Sequence, residues 1–211
     1  MIKPETLRAA EIHLRASDPR LGRLIEAHGP CTIGLKHRDP FHVLCSSIIS
    51  QQLSIKAADT IQARVAVATG ASRKLTPAHL IASDHEQLRA CGLSNAKAKW
   101  LMALAEATAS GELSFAKLKK MDDEAAIARL DALPGIGRWT AEMFLIFALG
   151  RLDVFSLGDV GLRNGMNRLH NGGAKLDDAA TLAITARWAP YRSIGSWYLW
   201  RIADIDPNDL P

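Results

Sequence analysis

The stretch Leu133-Pro134-Gly135-Ile136-Gly137-Arg138-Trp139-Thr140 sets a proline, two glycines and a tryptophan between two segments with helical patterning. Proline and glycine are costly inside a helix, so the cluster predicts a tight turn, closing one helix near Leu133 and opening another near Arg138. Glycine at 135 and 137 admits positive φ and lets a second backbone come close. The N–H groups at the start of the following helix lack intrahelical acceptors and lie at the positive end of its dipole. A turn built from Pro134, Gly135, Ile136, Gly137, Arg138 and Thr140 can therefore hold a phosphate without any charged side chain. A plain helix connection, with glycine as C-cap, would use the same residue types. The length of LPGIGxxTA and the amphipathic segments on both sides favour the anion site.

Asp159, in Ser156-Leu157-Gly158-Asp159-Val160, stands at the expected start of a helix. Aspartate is a favoured N-cap, and a lone example reads first as a cap. A carboxylate can also stabilise a developing positive charge and orient or deprotonate water. The two roles are compatible, because capping fixes the direction of the side chain. Asp153 reads as a connection residue. Core packing is the plain reading of a tryptophan, kept here for Trp100, Trp188 and Trp197. Trp139 and Trp200 are candidates for a stacking surface, and Tyr191, which begins the same helix as Trp200, stands between the two readings. Ser50-Gln51-Gln52-Leu53-Ser54 breaks one apolar helix and caps the next. By itself it reads as a polar loop with Leu53 tucked inward.

The elements that must position these residues are helical almost throughout. Phe41, Leu44, Cys45, Ile48 and Ile49 fall on one helical face, and Ile55, Ala58, Ile61 and Val65 form the stripe of a helix capped by Ser54. Thr76-Pro77 reads as a cap with proline in the first turn, and Ser83-Asp84-His85-Glu86 as a capping box. Further helices are expected from Ser94 to about Gly111, from Asp122 or Asp123 to Leu133, from Thr140 to Leu149, and from Asp159 to Leu169. Two more run from Asp177 to Trp188 and from Pro190 to about Ala203. No period-2 alternation is sustained, so the expectation is an all-α chain of about ten helices.

Bulk properties narrow the function classes. The 211 residues, 48% hydrophobic and 23% charged, suit one globular domain or two small lobes. No apolar run approaches the roughly 18 residues of a membrane span, and the N-terminus lacks a signal-peptide core, so a cytoplasmic protein is expected. Three scattered cysteines and seven dispersed histidines show no metal-ligand spacing. The net charge of +4 suits a nucleic-acid partner without demanding one. Lys36-His37-Arg38 and Lys117 to Lys120 read as solvated helix faces.

On these motifs the chain resembles the helix–hairpin–helix DNA glycosylase superfamily. LPGIGRWTAEMFL looks like its Gly/Pro-rich hairpin, and the resemblance extends from about Asp39 to Ile202. It runs to the DNA-3-methyladenine glycosylase II branch through IISQQLSIKAADTIQARV, DVFSLGDVGLRNGMNRL and WAPYRSIGSWYLWR. The hairpin alone is shared with non-enzymatic modules; hairpin, aspartate and SQQLS turn together are far more specific. The resemblance implies two lobes flanking a DNA-binding cleft in a single domain over 1–211, with 1–38 a helical extension and 39–202 the core. Longer members carry an additional N-terminal α/β domain that is expected to be missing here.

The resemblance also implies roles. Asp159 matches the family's essential aspartate, Trp139 and Trp200 its base pocket with Tyr191 beside them, and Gln52 or Leu53 the wedge that enters the minor groove. Backbone carbonyls of Leu133 and Ile136, with Asp131, match a site for Na+ or K+; no other cofactor is expected. Relatives of the endonuclease III type have lysine at the position of Trp139 and a C-terminal four-cysteine cluster. This chain has neither. The implied protein is a monomeric, monofunctional glycosylase of base excision repair. It would act on double-stranded DNA containing alkylated purines such as 3-methyladenine and 7-methylguanine, and leave an abasic site. Such bases are cationic and leave without a strong general acid. The alternatives are a non-catalytic helix–hairpin–helix DNA-binding protein, or a glycosylase for deaminated or oxidised bases, whose neutral substrates would call for a leaving-group acid that is not identifiable.

Overall fold

The computed structural model describes residues 1–72 and 74–202. Among the described residues it forms thirteen α-helices and one π-helical turn, with no strand. The all-α class is as expected. The helices beyond the expected ten include two near the N-terminus and one of four residues, too short for a periodic signal. The described residues divide into two compact units, one of residues 1–37 with 145–202, the other of residues 38–144. Residues 1–37, expected as a helical extension, here form one compact unit together with the chain from 145 onward.

Helices α1 (Pro4–Ser17) and α2 (Pro19–His28) open the discontinuous unit, each with proline in its first turn. Asp18 lies between them and caps α2, its Oδ1 accepting from the N–H groups of Arg20 and Leu21 at 3.2 Å. Lys36, His37 and Arg38 lie in an irregular connection and not on the helix face expected of them.

The continuous unit begins with α3 (Pro40–Ser50), which buries the predicted stripe Phe41, Leu44, Cys45, Ile48 and Ile49. Ser54 caps α4 (Ile55–Ala68), which buries Ala58 and Val65 but leaves Ile55 exposed, against the expected pattern. Next come α5 (Pro77–Ile81) and α6 (His85–Ala90). The expected box at Ser83 is not made. Asp84 caps α6 while the Ser83 hydroxyl donates back to the His79 carbonyl at 2.8 Å, and the reciprocal pair is Thr76 with His79. Helix α7 (Asn95–Ala109) packs against α3, α5 and α6. Then follow α8 (Phe115–Leu118), α9 (Asp123–Asp131) and α10 (Arg138–Phe144), with α10 on α3 and α9.

The π-helical turn Leu145–Leu149 returns the chain to the first unit, followed by α11 (Val160–Asn171), α12 (Asp178–Ala186) and α13 (Arg192–Arg201). The end expected for this last helix, Ala203, lies outside the described residues. Leu14, Leu21, Leu24 and Ile25 of the first two helices meet Met166 and Ile194 of this half in one core, all fully buried. Two buried carboxylates tie the halves together. Asp18 Oδ2 accepts from Trp188 Nε1 at 2.8 Å, and Glu11 Oε1 accepts from Cys31 N at 2.7 Å and the Tyr198 hydroxyl at 2.8 Å. Burial and the Glu11 carboxylate push the Tyr198 phenol well above its ordinary pKa. Because a buried carboxylate stripped of its donors is costly, these bonds fix how the N-terminal pair docks. Among the described residues no helix is long and apolar enough to cross a membrane.

Candidate functional site

In the continuous unit, α9 ends at Asp131 and the chain turns at once. The Ile136 N–H donates to the Leu133 carbonyl at 3.1 Å, and Gly135 takes φ +82°. A Cβ at Gly135 would stand 2.4 Å from the Trp100 ring, so glycine is required there both for its backbone angle and for the ring beneath it. Gly137 differs. Its φ is not positive, and a Cβ there would meet only Asp131 Oδ1, at 4.0 Å. The second glycine thus leaves space at the mouth of the turn and answers no internal demand.

The predicted hairpin residues divide accordingly. Pro134 has no N–H, and that of Ile136 is used within the turn while its side chain is buried. Gly135, Gly137 and Arg138 carry the N–H groups at the open end of the hairpin, and Thr140 is buried one turn further on. The Arg138 guanidinium is exposed but paired. It donates from both terminal nitrogens to Glu124, at 2.9 and 2.6 Å, and from Nε to Glu142 at 2.9 Å. Hydrogen bonds and charge from Glu124 push its pKa further up, and the same bonds from Arg138 draw the Glu124 carboxyl down. The hairpin is thus a main-chain device whose adjacent cation is already neutralised.

Beside it lies the turn joining α3 to α4. Gln52 is in the left-handed region at φ +57°, uncommon for a residue with a side chain, and Gln52 and Leu53 are both exposed. Leu53 is therefore not tucked inward. Lys97 Nζ donates to the carbonyls of Ile49 and Gln51, filling acceptors that the end of α3 leaves unmatched, and burial lowers its pKa. Gln51 Nε2 donates to the Gly135 carbonyl at 2.8 Å. A cavity of about 430 Å³ opens here, lined by Ser47, Gln51, Gln52, Trp139, Thr140 and Met143, with Trp139 47% exposed.

The discontinuous unit holds Asp159. Its Oδ1 accepts from Leu162 N at 2.8 Å, the capping bond, and from Trp200 Nε1 at 3.0 Å, and the residue is 8% exposed. Trp200 in turn stacks on Phe147, with centroids 5.4 Å apart. A Cβ at Gly161 would stand 3.1 Å from both the Trp200 ring and Asp159 Oδ1, so glycine lets the indole close on the carboxylate. The loop leading to Asp159 is itself pinned. Arg192 grips Asp153 through Nε and a terminal nitrogen at 2.8 and 2.9 Å, and Ser193 Oγ accepts from Val154 N at 2.9 Å. Asp153 is thus the connection residue expected of it.

The structure brings Asp159 and Trp200 together, and groups Trp139 with Gln51 and Gln52. It does not bring Tyr191 to Trp200. Tyr191 lies at the other end of α13, about 13 Å away at 1.5 Å per residue, with its ring edge-on to His13. Trp188 is buried as core, while Trp197 is half-exposed with Arg201 over its ring. Gln51, Lys97, Trp100, Phe147 and Gly161 were not anticipated in these roles. Gly161, two positions after Asp159, was the one with a local signal.

Comparison with known proteins places this geometry in context. A family model described as HhH-GPD superfamily base excision DNA repair protein matches residues 45–191. The DNA-3-methyladenine glycosylase 1 of Schizosaccharomyces pombe is 35% identical over 209 residues, 98% of this chain and 92% of that protein. The solved structure of an S. pombe 3-methyladenine DNA glycosylase in complex with abasic DNA superposes with a TM-score of 0.80 at 35% identity, covering 94% of this chain and 98% of that one. A DNA-3-methyladenine glycosidase from Bacillus halodurans gives a TM-score of 0.84 at 39% identity, covering 92% and 88%.

Proposed function

Since this chain belongs to the HhH-GPD superfamily of base excision DNA repair proteins, we propose that it is a monofunctional glycosylase that hydrolyses the N-glycosidic bond of alkylated purines in double-stranded DNA. It acts as a monomer in the cytoplasm and leaves an abasic site. The observation that carries this reading is the Asp159 carboxylate, held through Oδ1 by its own helix and by the Trp200 indole.

Alkylation at N3 of adenine or N7 of guanine makes the base cationic, so the bond from C1′ breaks with both electrons leaving on a neutral purine. The sugar becomes oxocarbenium-like, and the fixed carboxylate opposes that charge while orienting the water that attacks C1′. The water's oxygen forms the new bond, and its proton passes to the carboxylate or to solvent. Reaching the base requires extruding it at a cost of a few kcal/mol. Trp139 offers an exposed aromatic face that offsets part of this, with a cation–π contribution of about 0.5–2 kcal/mol toward a cationic purine.

Gln52 is the wedge in this reading. Its left-handed backbone and exposure suit a side chain projected from the turn, and its amide can hydrogen-bond the base left without a partner. The N–H groups of Gly135, Gly137 and Arg138 bind a DNA phosphate. The same turn suits Na+ or K+. Leu133 and Ile136 would supply carbonyl oxygens and Asp131 a carboxylate already 4.0 Å from the Cβ position of Gly137; such an ion would add positive charge beneath the phosphate.

The absence of an amine nucleophile at Trp139 excludes a Schiff-base route through that position, because the neighbouring guanidinium stays protonated. The test is base release from duplexes each carrying one defined lesion, with Asp159→Asn alongside. Release of 3-methyladenine and 7-methylguanine, lost in the variant, with no borohydride-trapped protein–DNA adduct, is expected. Normal release by Asp159→Asn, or a trapped adduct, overturns the assignment.

A further inference from the structure

We infer that Gln51 is a positioning residue that holds the wedge turn in register with the phosphate hairpin, an inference that rests on the reading above. Its carbonyl accepts from Lys97 Nζ at 2.5 Å, and the same ammonium donates to Ile49 O at 2.8 Å. Its side-chain amide reaches the Gly135 carbonyl at 2.8 Å. One residue is thus anchored by its main chain to α3 and α7, and by its side chain to the hairpin.

Neither end of this link is free to drift. The Gly135 backbone sits at positive φ over the Trp100 ring, which leaves no room for the turn to settle inward. At the other end, the left-handed backbone of Gln52 is a conformation that persists only where its surroundings over-determine it. The bond from Leu53 N to Ser50 O at 3.1 Å, the Ser54 cap and the two Lys97 bonds supply that constraint from within the turn. The Gln51 amide adds the constraint that reaches the hairpin. Its consequence is a fixed spacing between the wedge side chain and the phosphate-binding N–H groups before DNA arrives, so that base extrusion need not order the turn.

The amide end can donate to Gly135 O; a carboxylate cannot. Gln51→Glu therefore sets one oxygen against another at unchanged size, and Gln51→Met keeps the length without a donor. Both variants are made in an Asp159→Asn background, and base extrusion is read from 2-aminopurine fluorescence beside a 7-methylguanine in duplex DNA. Affinity for undamaged duplex and the melting temperature are measured alongside. The expected result is a fluorescence gain reduced about fivefold in Gln51→Met, the size of one lost hydrogen bond, and more in Gln51→Glu. Undamaged-duplex affinity and melting temperature stay unchanged in Gln51→Met. An unchanged gain in both variants overturns the inference. So does a fall in Gln51→Met matched by an equal fall in undamaged-duplex affinity, which is general damage to the unit. If the parent itself shows no gain, the glycosylase reading fails and this inference with it.

Discussion

The two units solve different problems with different parts of the polypeptide. Residues 38–144 present main chain: a glycine turn over an indole, a left-handed residue at the next turn, and an arginine already paired to two carboxylates. The unit of residues 1–37 and 145–202 presents a side chain, Asp159, oriented by the N–H of its own helix and by the Trp200 indole, on a loop pinned by Arg192 and Asp153. Main-chain binding depends on shape and tolerates most substitutions except those that change a backbone angle. Side-chain chemistry depends on one functional group and tolerates almost none. The lesson is that sensitivity to substitution should be chemical in one unit and conformational in the other.

The sharpest break of that contrast is Asp159→Asn. Base release should fall by about 10² to 10³ or more, while duplex affinity measured by anisotropy changes little. A comparable loss of affinity would make Asp159 a scaffold residue. Next is Gly135→Ala, which meets both an unfavourable φ and the Trp100 ring. About 1–3 kcal/mol of stability should be lost, read by denaturant unfolding, with duplex binding weakened while substitutions at Gly137 leave stability intact. Equal stability for the two glycine variants would erase the distinction between them.

Trp200→Phe tests the side-chain unit more finely. It keeps a ring on Phe147 and removes the N–H that orients Asp159, so the single-turnover rate should fall about tenfold, as expected for one charge-assisted hydrogen bond. The melting temperature should hardly move; a rate equal to that of the parent would show that the indole only packs. The smallest effect expected is at Arg138. Replacing it with glutamine should change the slope of log affinity against log salt by far less than the about 0.9 of a released counterion, because Glu124 and Glu142 already neutralise it. A full unit of slope would show the guanidinium reaching phosphate.

Legibility in the sequence divided along physical lines. The α3 stripe, the helix caps at Ser54, Ser94, Asp122 and Asp159 and the glycine turn were readable because each is a local pattern with one dominant cause. Ser83 misled because Asp84 next to it caps equally well and the serine hydroxyl had a nearer acceptor in His79 O. Tyr191 stayed between two readings because its place at the start of the helix does not say which neighbour its ring meets, here His13. The bonds from Gln51 to Gly135, from Lys97 to the end of α3 and from Asp18 to Trp188 join residues far apart in the chain. No local pattern encodes such pairings, and the role of residues 1–37 in a packed core was hidden for the same reason.

That discontinuity carries a consequence for synthesis. The unit of residues 38–144 is complete once its own stretch has left the ribosome, whereas α1 and α2 wait for partners that are translated only after it. At about 5–20 residues per second, roughly 5–20 s pass between the two halves of the unit that holds Asp159. During that interval Leu14, Leu21, Leu24 and Ile25 lack the core they later share with Met166 and Ile194. A nascent chain can therefore fold its glycine turn and its left-handed turn before it can assemble the carboxylate, and a product terminated between the two keeps the first without gaining the second.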